Sequence, residues 1–390
     1  MIFTLEALKA QHGDCLLLHY GKDDDPRLIL IDGGPGPVFK ESLLPRLEEL
    51  RAARAGADES LPLDMLMVSH IDDDHIGGVL GLTQRLLEEK DAETPPLVEI
   101  DTLWHNSFDD ITKNDEVLGS PASITASLGD FLPPDELHQS ELVLASVGQG
   151  RTLRDQGKVL ANKVNSPFKG LVRSGKKRTD VKRPDGLVLT VIGPRDDRLA
   201  NLQKTWNKEL EKLLKGKPKE KAQAAAFVDD AVANLSSIIV LAQAKVGKKT
   251  RTMLLTGDAN GKFVLSGLED AGLLKQGGSM HVDVLKLPHH GSIRNVDTPF
   301  FERITADHYV FSANGKFGNP DPPTLQMLAD VRQDDTDYTI HLTTAPEDCK
   351  APYPAAKARQ ILKGSKAKIA TPAPGKLSLR IDLGAKLPED

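Results

Sequence analysis

One run of six residues, His70-Ile71-Asp72-Asp73-Asp74-His75, places two imidazoles and three carboxylates side by side. An apolar stretch ending at Val68 precedes the run and predicts a buried strand, and Gly77 and Gly78 follow near the predicted start of a helix. Histidine and aspartate are common ligands of divalent cations. So many ionisable groups in one turn are costly unless a cation neutralises them. The run therefore predicts a metal site, and a solvated helix cap is the less favoured interpretation.

Two later motifs also put ligand-type residues directly after predicted buried strands. Gly257 and Asp258 follow the predicted strand at 252–256, and Pro288, His289 and His290 follow the one at 282–287. Either motif alone is typical of an ordinary turn. Because both stand at strand ends, as the first run does, we expect Asp258 and a histidine of the pair to join the metal site.

The motif order resembles the metallo-β-lactamase fold, whose signature is His-x-His-x-Asp-His, with Asp72 here in place of the second histidine. The form with aspartate resembles the soluble hydrolase domain of ComEC-type DNA-uptake proteins, in a stand-alone form. Matches in the same chain order extend to about residue 325, at 13–18, 30–34, 254–258 and 285–292. The resemblance implies an α/β fold, an αββα sandwich, and a single domain over residues 1–390.

The resemblance also implies a centre of two divalent metal ions. Its ligands would be His70 and Asp72 for the first ion, Asp74 and His75 for the second, Asp258 between them, and His289 or His290 to complete the second. The other histidine of the pair would contact substrate. In this fold, residues in the positions of Asp14 and Asp32 shape the turns beneath the metals.

The donor set bears on the identity of the metal. Replacing a histidine by Asp72 gives a site with as many carboxylate as imidazole ligands, which favours harder cations. We therefore expect Mn²⁺, with Zn²⁺ or Mg²⁺ as alternatives.

Further residues are candidates for contact with substrate. Asn234 and Ser236 occupy the place where many members of the fold carry another histidine, and Asn319 stands where relatives often have Gly-His-Pro. We assign these three to substrate binding. His105 follows a predicted strand and is either a general acid or substrate contact, acting beside Asp74 and His290, or an ordinary loop histidine.

Residues 105–185 show weak periodicity, and we predict a loop-rich, mobile basic insertion there. Between 158 and 183, nine lysines and arginines accompany a single acid, Asp180. This is either a solvated loop or a patch for a phosphate backbone, with Lys176, Lys177 and Arg178 as candidate contacts. A helix is predicted from about 197 to 215, and its lysines are further candidates for DNA contact.

Three functions fit these observations. The leading one is a two-metal phosphodiesterase, a DNA nuclease that uses a metal-bound hydroxide. The second is a metal-dependent hydrolase of a small substrate, such as a cyclic nucleotide, lactone or phosphonate. The net charge of −6 and an aromatic content of 4% favour it slightly, because single-strand binders often use aromatic stacking. The third is a non-catalytic scaffold.

The remaining expectations concern location and control. The chain has two cysteines, no signal-like N-terminus and no apolar stretch of membrane-spanning length, so we expect a cytoplasmic protein without a membrane partner. The stand-alone form resembles hydrolases of bacterial defence loci, which implies an antiviral role. Residues 169–183 would then cover the metal cleft until a trypsin-like protease or another defence protein acts on them.

Overall fold

A computed structural model describes residues 1–56, 58–112, 134–200, 203–204 and 236–387 of this chain. The first sheet is built mainly from the N-terminal strands: β1 (Ile2–Leu8), β2 (Leu16–Gly21), β3 (Pro26–Ile31), β4 (Leu61–Leu63), β5 (Met65–Met67), β6 (Val98–Trp104) and β7 (Ala161–Val164). The second sheet contains β8 (Thr179–Lys182), β9 (Val188–Gly193), β10 (Ile239–Val246), β11 (Lys249–Leu255), β12 (Met280–Lys286), β13 (Ile304–Phe311), β14 (Thr339–Leu342) and β15 (Lys368–Ala370). The last strand, β16 (Ser378–Asp382), returns to the first sheet.

Both sheets are mixed. The first has the order β16-β1-β2-β3-β5-β6-β4, with β7 beside β6, and the second runs β15-β14-β13-β12-β11-β10-β9-β8. β3, β5 and β6 are parallel, as are β11 to β15. Parallel strands end at the same edge of a sheet, so the segments that follow them are brought together.

The helices lie between and after these strands: α1 (Leu44–Arg54), α2 (Asp73–Asp91), α3 (Phe108–Thr112), α4 (Pro134–Leu160), α5 (Gly261–Asp270), α6 (Thr298–Arg303), α7 (Pro322–Val331) and α8 (Ala355–Gly364). Short 3₁₀ turns occur at Pro184–Gly186, Pro288–Gly291 and Pro346–Asp348, and a π-helical turn at Phe39–Leu43 precedes α1. None of the described helices has the length and apolar character needed to cross a membrane.

Three apolar clusters define the layers. The central cluster joins the facing sides of the two sheets, for example Leu5 and Met67 from the first with Met253 from the second. Outside the first sheet, α1, α2 and α4 contribute to a second cluster; outside the second sheet, α5 to α8 contribute to a third. The alternation of side chains along each strand supplies an apolar residue to both faces. The predicted α/β class is confirmed as two mixed sheets with helices on their outer faces.

The structure differs from the prediction of a loop-rich, mobile segment. Residues 134–160 form the helix α4, and the edge strand β8 buries Val181 against the inter-sheet core. Glycines lower the helix propensity of α4, but Gly157 lies so close to Leu103 that a Cβ there would sit 2.2 Å from its side chain. Tertiary packing therefore overrides local propensity. Residues 113–133 and most of the helix predicted at 197–215 lie outside the described residues.

Candidate metal centre

Four segments meet where the two sheets share an edge. His70 and Asp72 lie between the end of β5 and the start of α2, and Asp74 and His75 are in the first turn of α2. The segment after β11 carries Asp258. The turn after β12 carries His289 and His290. Beside them, the Ile238 amide, just before β10, donates to the Ser69 carbonyl, just after β5, at 2.8 Å and so links the two sheets.

Asp258 occupies the middle of this cluster and is almost fully buried. Its Oδ1 lies 3.2 Å from His75 Nε2. Its Oδ2 is surrounded by three more Nε2 atoms, at 3.5 Å from His290, 3.6 Å from His289 and 3.8 Å from His70. One carboxylate thus faces four imidazoles, which is the position expected of a bridging ligand.

Two further carboxylates flank the same ring nitrogens. Asp74 Oδ2 lies 3.3 Å from His290 Nε2, and Asp72 Oδ2 lies 3.4 Å from His70 Nε2. Ligand bonds of about 2.1 Å in a tetrahedral shell put neighbouring ligand atoms about 3.4 Å apart. The spacing in this cluster is therefore that of atoms around a shared cation.

The other nitrogen of each ring faces an oxygen. The contacts are His75 Nδ1 with Asp32 Oδ2 (2.9 Å), His70 Nδ1 with Ser69 Oγ (3.0 Å), His289 Nδ1 with Asn295 Oδ1 (2.9 Å) and His290 Nδ1 with Asp14 Oδ1 (3.3 Å). Ser69 Oγ itself donates to Asp32 Oδ2, so it accepts from His70. These oxygens favour a proton on Nδ1, which leaves Nε2 as a lone pair directed at the carboxylates.

The Nε2 atoms of three of these rings have no hydrogen-bond partner within the described protein. The Nε2 atoms of His70, His75 and His290 are buried and have no hydrogen-bond partner there, and the same holds for Asp258 Oδ1. Buried polar atoms are nearly always paired, so a group of unpaired ones facing a common space indicates a ligand that binds all of them. A divalent cation fits this donor set.

The charges of the cluster lead to the same conclusion. Five carboxylates surround the site, and one buried ammonium, Lys286, contacts them through Asp14 at 2.7 Å; the five are Asp14, Asp32, Asp72, Asp74 and Asp258. Burial raises the pKa of Asp14, but Lys286 and His290 more than offset this and hold it at about 2. Three of the five, Asp14, Asp32 and Asp258, are buried, and this concentration of negative charge favours the binding of cations.

The histidines respond to that excess. Burial lowers the pKa of His290, but Asp258, Asp14 and Asp74 more than offset this and raise it to about 10. The same balance, with Asp258 and Asp32 as the main anions, raises the pKa of His75 well above its usual range. Protons and metal ions therefore compete for these imidazoles, and metal binding would release protons.

The geometry distinguishes the two adjacent histidines. His290 is 2% exposed and belongs with Asp14, His75 and Asp258 to a group whose ligand atoms all lie within 4.8 Å of one another. The side chain of His289 is 34% exposed and lies at the rim. Both have positive φ angles, 46° and 56°, which are strained for residues with a Cβ and are typical of functional turns. His290 is thus better placed than His289 to bind a metal ion.

The residues assigned to substrate binding are placed differently. Asn234 lies outside the described residues. Ser236 is buried, next to Ser237, whose Oγ accepts from the Asp258 amide at 3.3 Å. Asn319 Nδ2 lies 3.5 Å from the carbonyl oxygen of His289, so this side chain is at the rim of the cluster.

His105 is buried away from the ligand atoms. Its Nε2 is 3.1 Å from the carbonyl of Gly150 in α4, and burial lowers its pKa to about 4. The ring therefore contacts α4, and its lowered pKa favours the neutral form. A catalytic role for His105 stays a prediction.

The basic segment lies along the second sheet. Lys176 and Lys177 are exposed just before β8, at the same sheet edge as the metal cluster but three strands, about 14 Å, from β11. Arg178 bonds Asp180 and Gln243 on the outer face. Acids from elsewhere in the chain neutralise part of the patch, through the pairs Lys158–Asp155, Lys163–Asp101 and Arg173–Asp196. Within the described chain, no hydrogen bond or ion pair joins 169–183 to a candidate ligand.

Several residues of the centre went unrecognised in the sequence. Ser69 and Asn295 contact the Nδ1 atoms of histidines, and Lys286 pairs with Asp14. His12 is close enough to Asp74 and His290 to interact with both electrostatically. Lys286 could have been recognised as a lysine within an apolar strand, because a charged side chain is rarely buried unless it is paired. No family model matches this chain, and no curated protein matches it either.

Proposed function

We propose that this chain is a two-metal phosphodiesterase of the metallo-β-lactamase type, and that its substrate is DNA. The observation that supports the proposal best is the set of imidazole Nε2 atoms arranged around Asp258, each ring having its Nδ1 beside an oxygen. The two mixed sheets with outer helices, and the order of the motifs along the chain, agree with that type.

The donor set supports Mn²⁺ as the preferred ion. The assigned ligands comprise three aspartates and three histidines, namely Asp72, Asp74, Asp258, His70, His75 and His290, and such mixed sites suit harder divalent cations. Two bound cations would activate a water molecule and offset the charge of a phosphodiester. The protein would contribute fixed ligand positions and the positive N-terminal end of α2, which begins at Asp73 beside the cluster.

Each residue then has a defined task. Asp258 would bridge the two ions; His70 and Asp72 would hold one, and Asp74, His75 and His290 the other. His289 and Asn319, at the exposed rim, are positioned to contact the substrate. Lys176 and Lys177 lie farther along the same edge, where a longer nucleic acid chain would pass.

Cleavage assays with defined metals test the proposal. Purified protein is incubated with single-stranded DNA and with plasmid in Mn²⁺, Mg²⁺ or Zn²⁺, and metal content is measured in parallel. We expect Mn²⁺-dependent cleavage that Asp74→Ala abolishes. Asp155→Ala, which alters an exposed aspartate on α4, is the control and should retain activity. Bound metal without cleavage of any DNA would instead favour a small substrate, tested with bis-p-nitrophenyl phosphate.

Two extensions of the proposal rest on the resemblance alone: a role in bacterial antiviral defence, and release of activity by proteolysis. Limited trypsin treatment tests the second, because Lys176 and Lys177 are exposed in a turn. Activation after cleavage at this turn would support it, and unchanged activity after complete cleavage there would contradict it.

A further inference from the structure

A turn after β13 brings an exposed aromatic ring to the rim of the metal centre. β12 and β13 are parallel, so the turn after β13 and the histidine pair after β12 lie at the same sheet edge. The two segments are joined directly: the Asp321 amide donates to the Gly291 carbonyl (3.2 Å), and Asn319 Nδ2 lies 3.5 Å from the His289 carbonyl.

Phe317, at the tip of this turn, keeps 67% of its surface exposed. The other large apolar side chains that remain exposed in the described residues are aliphatic. Lys316 Nζ lies 4.8 Å from the centre of the Phe317 ring, so a cation accompanies the exposed ring. An exposed phenyl ring with an adjacent ammonium is the combination that binds a nucleobase and its phosphate.

A second contact links Phe317 to the centre. The His12 ring packs edge-on against Phe317, with 5.1 Å between ring centroids and an angle of 85°. The chain beside His12 is pressed onto α2: the Asp14 amide donates to the Asp74 carbonyl (3.1 Å), and a Cβ on Gly13 would sit 1.8 Å from that oxygen. Phe317 therefore lies against the segment that leads into Asp14 and the first turn of α2, next to the candidate ligands.

We infer that Phe317 is a stacking platform for an unpaired nucleobase beside the scissile phosphodiester, with Lys316 facing a neighbouring phosphate. This inference rests on the proposed function and deepens it, because it assigns single-stranded nucleic acid as the substrate class. Bases in a duplex are already stacked, whereas an unpaired base can place its face on the ring. For single-strand binding, one aromatic ring beside the site is more important than the low aromatic content of the whole chain.

The test compares two oligonucleotides of equal length, one normal single-stranded DNA and one in which the sugars next to the cleavage site lack bases. We expect Phe317→Ala to raise KM for the normal oligonucleotide about ten-fold with little change in kcat, since one stacked base contributes about 1–3 kcal/mol. KM for the abasic oligonucleotide should not change. Phe317→Trp should restore the wild-type KM, and Ile369→Ala, which alters an exposed side chain on β15, is the matched control.

The outcomes separate this inference from the proposed function. Cleavage by the wild type with equal KM for both oligonucleotides, or an unchanged KM in Phe317→Ala, would overturn the platform and leave the phosphodiesterase intact. If the wild type cleaves neither oligonucleotide, fluorescence anisotropy of the labelled oligonucleotides replaces kinetics. Tighter binding of the normal oligonucleotide, lost in Phe317→Ala, would then support the platform while the nuclease proposal fails, and equal binding would reject both.

Discussion

Two buried clusters of histidine and carboxylate in the described part of the chain differ in how their ring nitrogens are paired. In the cluster around Glu6, beneath α1, His19 Nε2 lies 2.9 Å from Glu6 Oε2 and His19 Nδ1 lies 2.9 Å from an Arg54 nitrogen. Glu6 also accepts from Arg46 and Ser378. In the cluster around Asp258, the Nε2 atoms of His70, His75 and His290 have no hydrogen-bond partner in the described protein.

The difference separates a structural network from a binding site. Around Glu6, arginines balance the carboxylate and both ring nitrogens of His19 have partners, so neither ring nitrogen is available to a metal ion. Around Asp258, acids outnumber the single buried ammonium, and the buried Nε2 atoms that face the centre of the cluster have no hydrogen-bond partner among the described residues. Burial and residue type are alike in the two clusters, and the direction of the unpaired atoms is what makes the Asp258 cluster the candidate metal centre.

The largest expected difference between the two clusters follows from neutralising the central acid of each. We expect Asp258→Asn to reduce the metal content of the purified protein and to lower activity to background, because the amide lacks the charge that bridges two cations. Glu6→Gln removes an equally buried carboxylate and is the matched control, which should keep its metal. Metal content is measured by elemental analysis; a full metal complement in Asp258→Asn would refute the assignment.

In the metal-free proteins, we expect Glu6→Gln to lower the free energy of unfolding more than Asp258→Asn does, the reverse of their effects on metal content. Glu6→Gln removes the buried anion of Arg46 and leaves it paired with Glu49, whose side chain is exposed. The free energy of unfolding should therefore fall by up to about 3–5 kcal/mol. Denaturant unfolding of the metal-free proteins measures this fall, and Asp258→Asn should lose less because it relieves repulsion among carboxylates. Equal destabilisation of the two variants would mean that the Asp258 cluster is also a structural network.

The pH dependence provides a second readout for Glu6. Burial raises the pKa of this carboxyl, but His19, Arg46 and Arg380 more than offset it, so the folded pKa lies well below the usual value of about 4.3. A group with a depressed folded pKa contributes stability above its unfolded pKa and loses that contribution as the pH falls toward the folded value. Metal-free wild type should therefore lose stability below about pH 4.3 more steeply than Glu6→Gln.

Sequence patterns were sufficient for the parts of the centre that follow strands directly. The run from His70 to His75, and Asp258 after β11, meet as expected because adjacent strand ends converge at one edge. The choice between His289 and His290 was out of reach, since it depends on which ring the left-handed turn directs inward. Asp14 was expected beneath the site, but its partner Lys286 emerged only from the packing.

The helix α4 shows a different limit. Its glycines and polar residues indicated a loop, yet those glycines allow the helix to approach Ile71 and Leu103 closely. A local pattern contains no information about a partner that is distant in the chain, and this is where tertiary packing decides secondary structure. The charge of the basic segment was overestimated for the same reason, because acids that neutralise it, such as Asp101, come from other elements.

Metal addition should stabilise the protein by a moderate amount. A ligand that binds only the folded chain raises the free energy of unfolding by about 2.7 kcal/mol at a free concentration one hundred times its Kd. Thermal melts with increasing Mn²⁺ measure the effect, and Glu6→Gln should show the same increment from a lower starting point. Asp258→Asn should show little increment, and an increment equal to that of the wild type would place the binding elsewhere.

The smallest expected effect concerns Ser69, whose Oγ lies beside the rings of two candidate ligands, His70 and, at 3.3 Å, His75. Ser69 Oγ lies 3.0 Å from His70 Nδ1, and Ser69→Ala removes this oxygen without changing any candidate ligand. Loss of such an orienting contact lowers metal affinity by about ten-fold or somewhat more, and a lost buried hydrogen bond costs about 1 kcal/mol. Ser174→Ala is the matched control, because Ser174 Oγ is also buried and donates to the Ile192 carbonyl at 3.0 Å. Both variants should lose similar stability without metal, and competition with a chelator should reveal weaker binding in Ser69→Ala alone. Equal metal affinity in the two variants would mean that Ser69 supports the fold but does not orient His70.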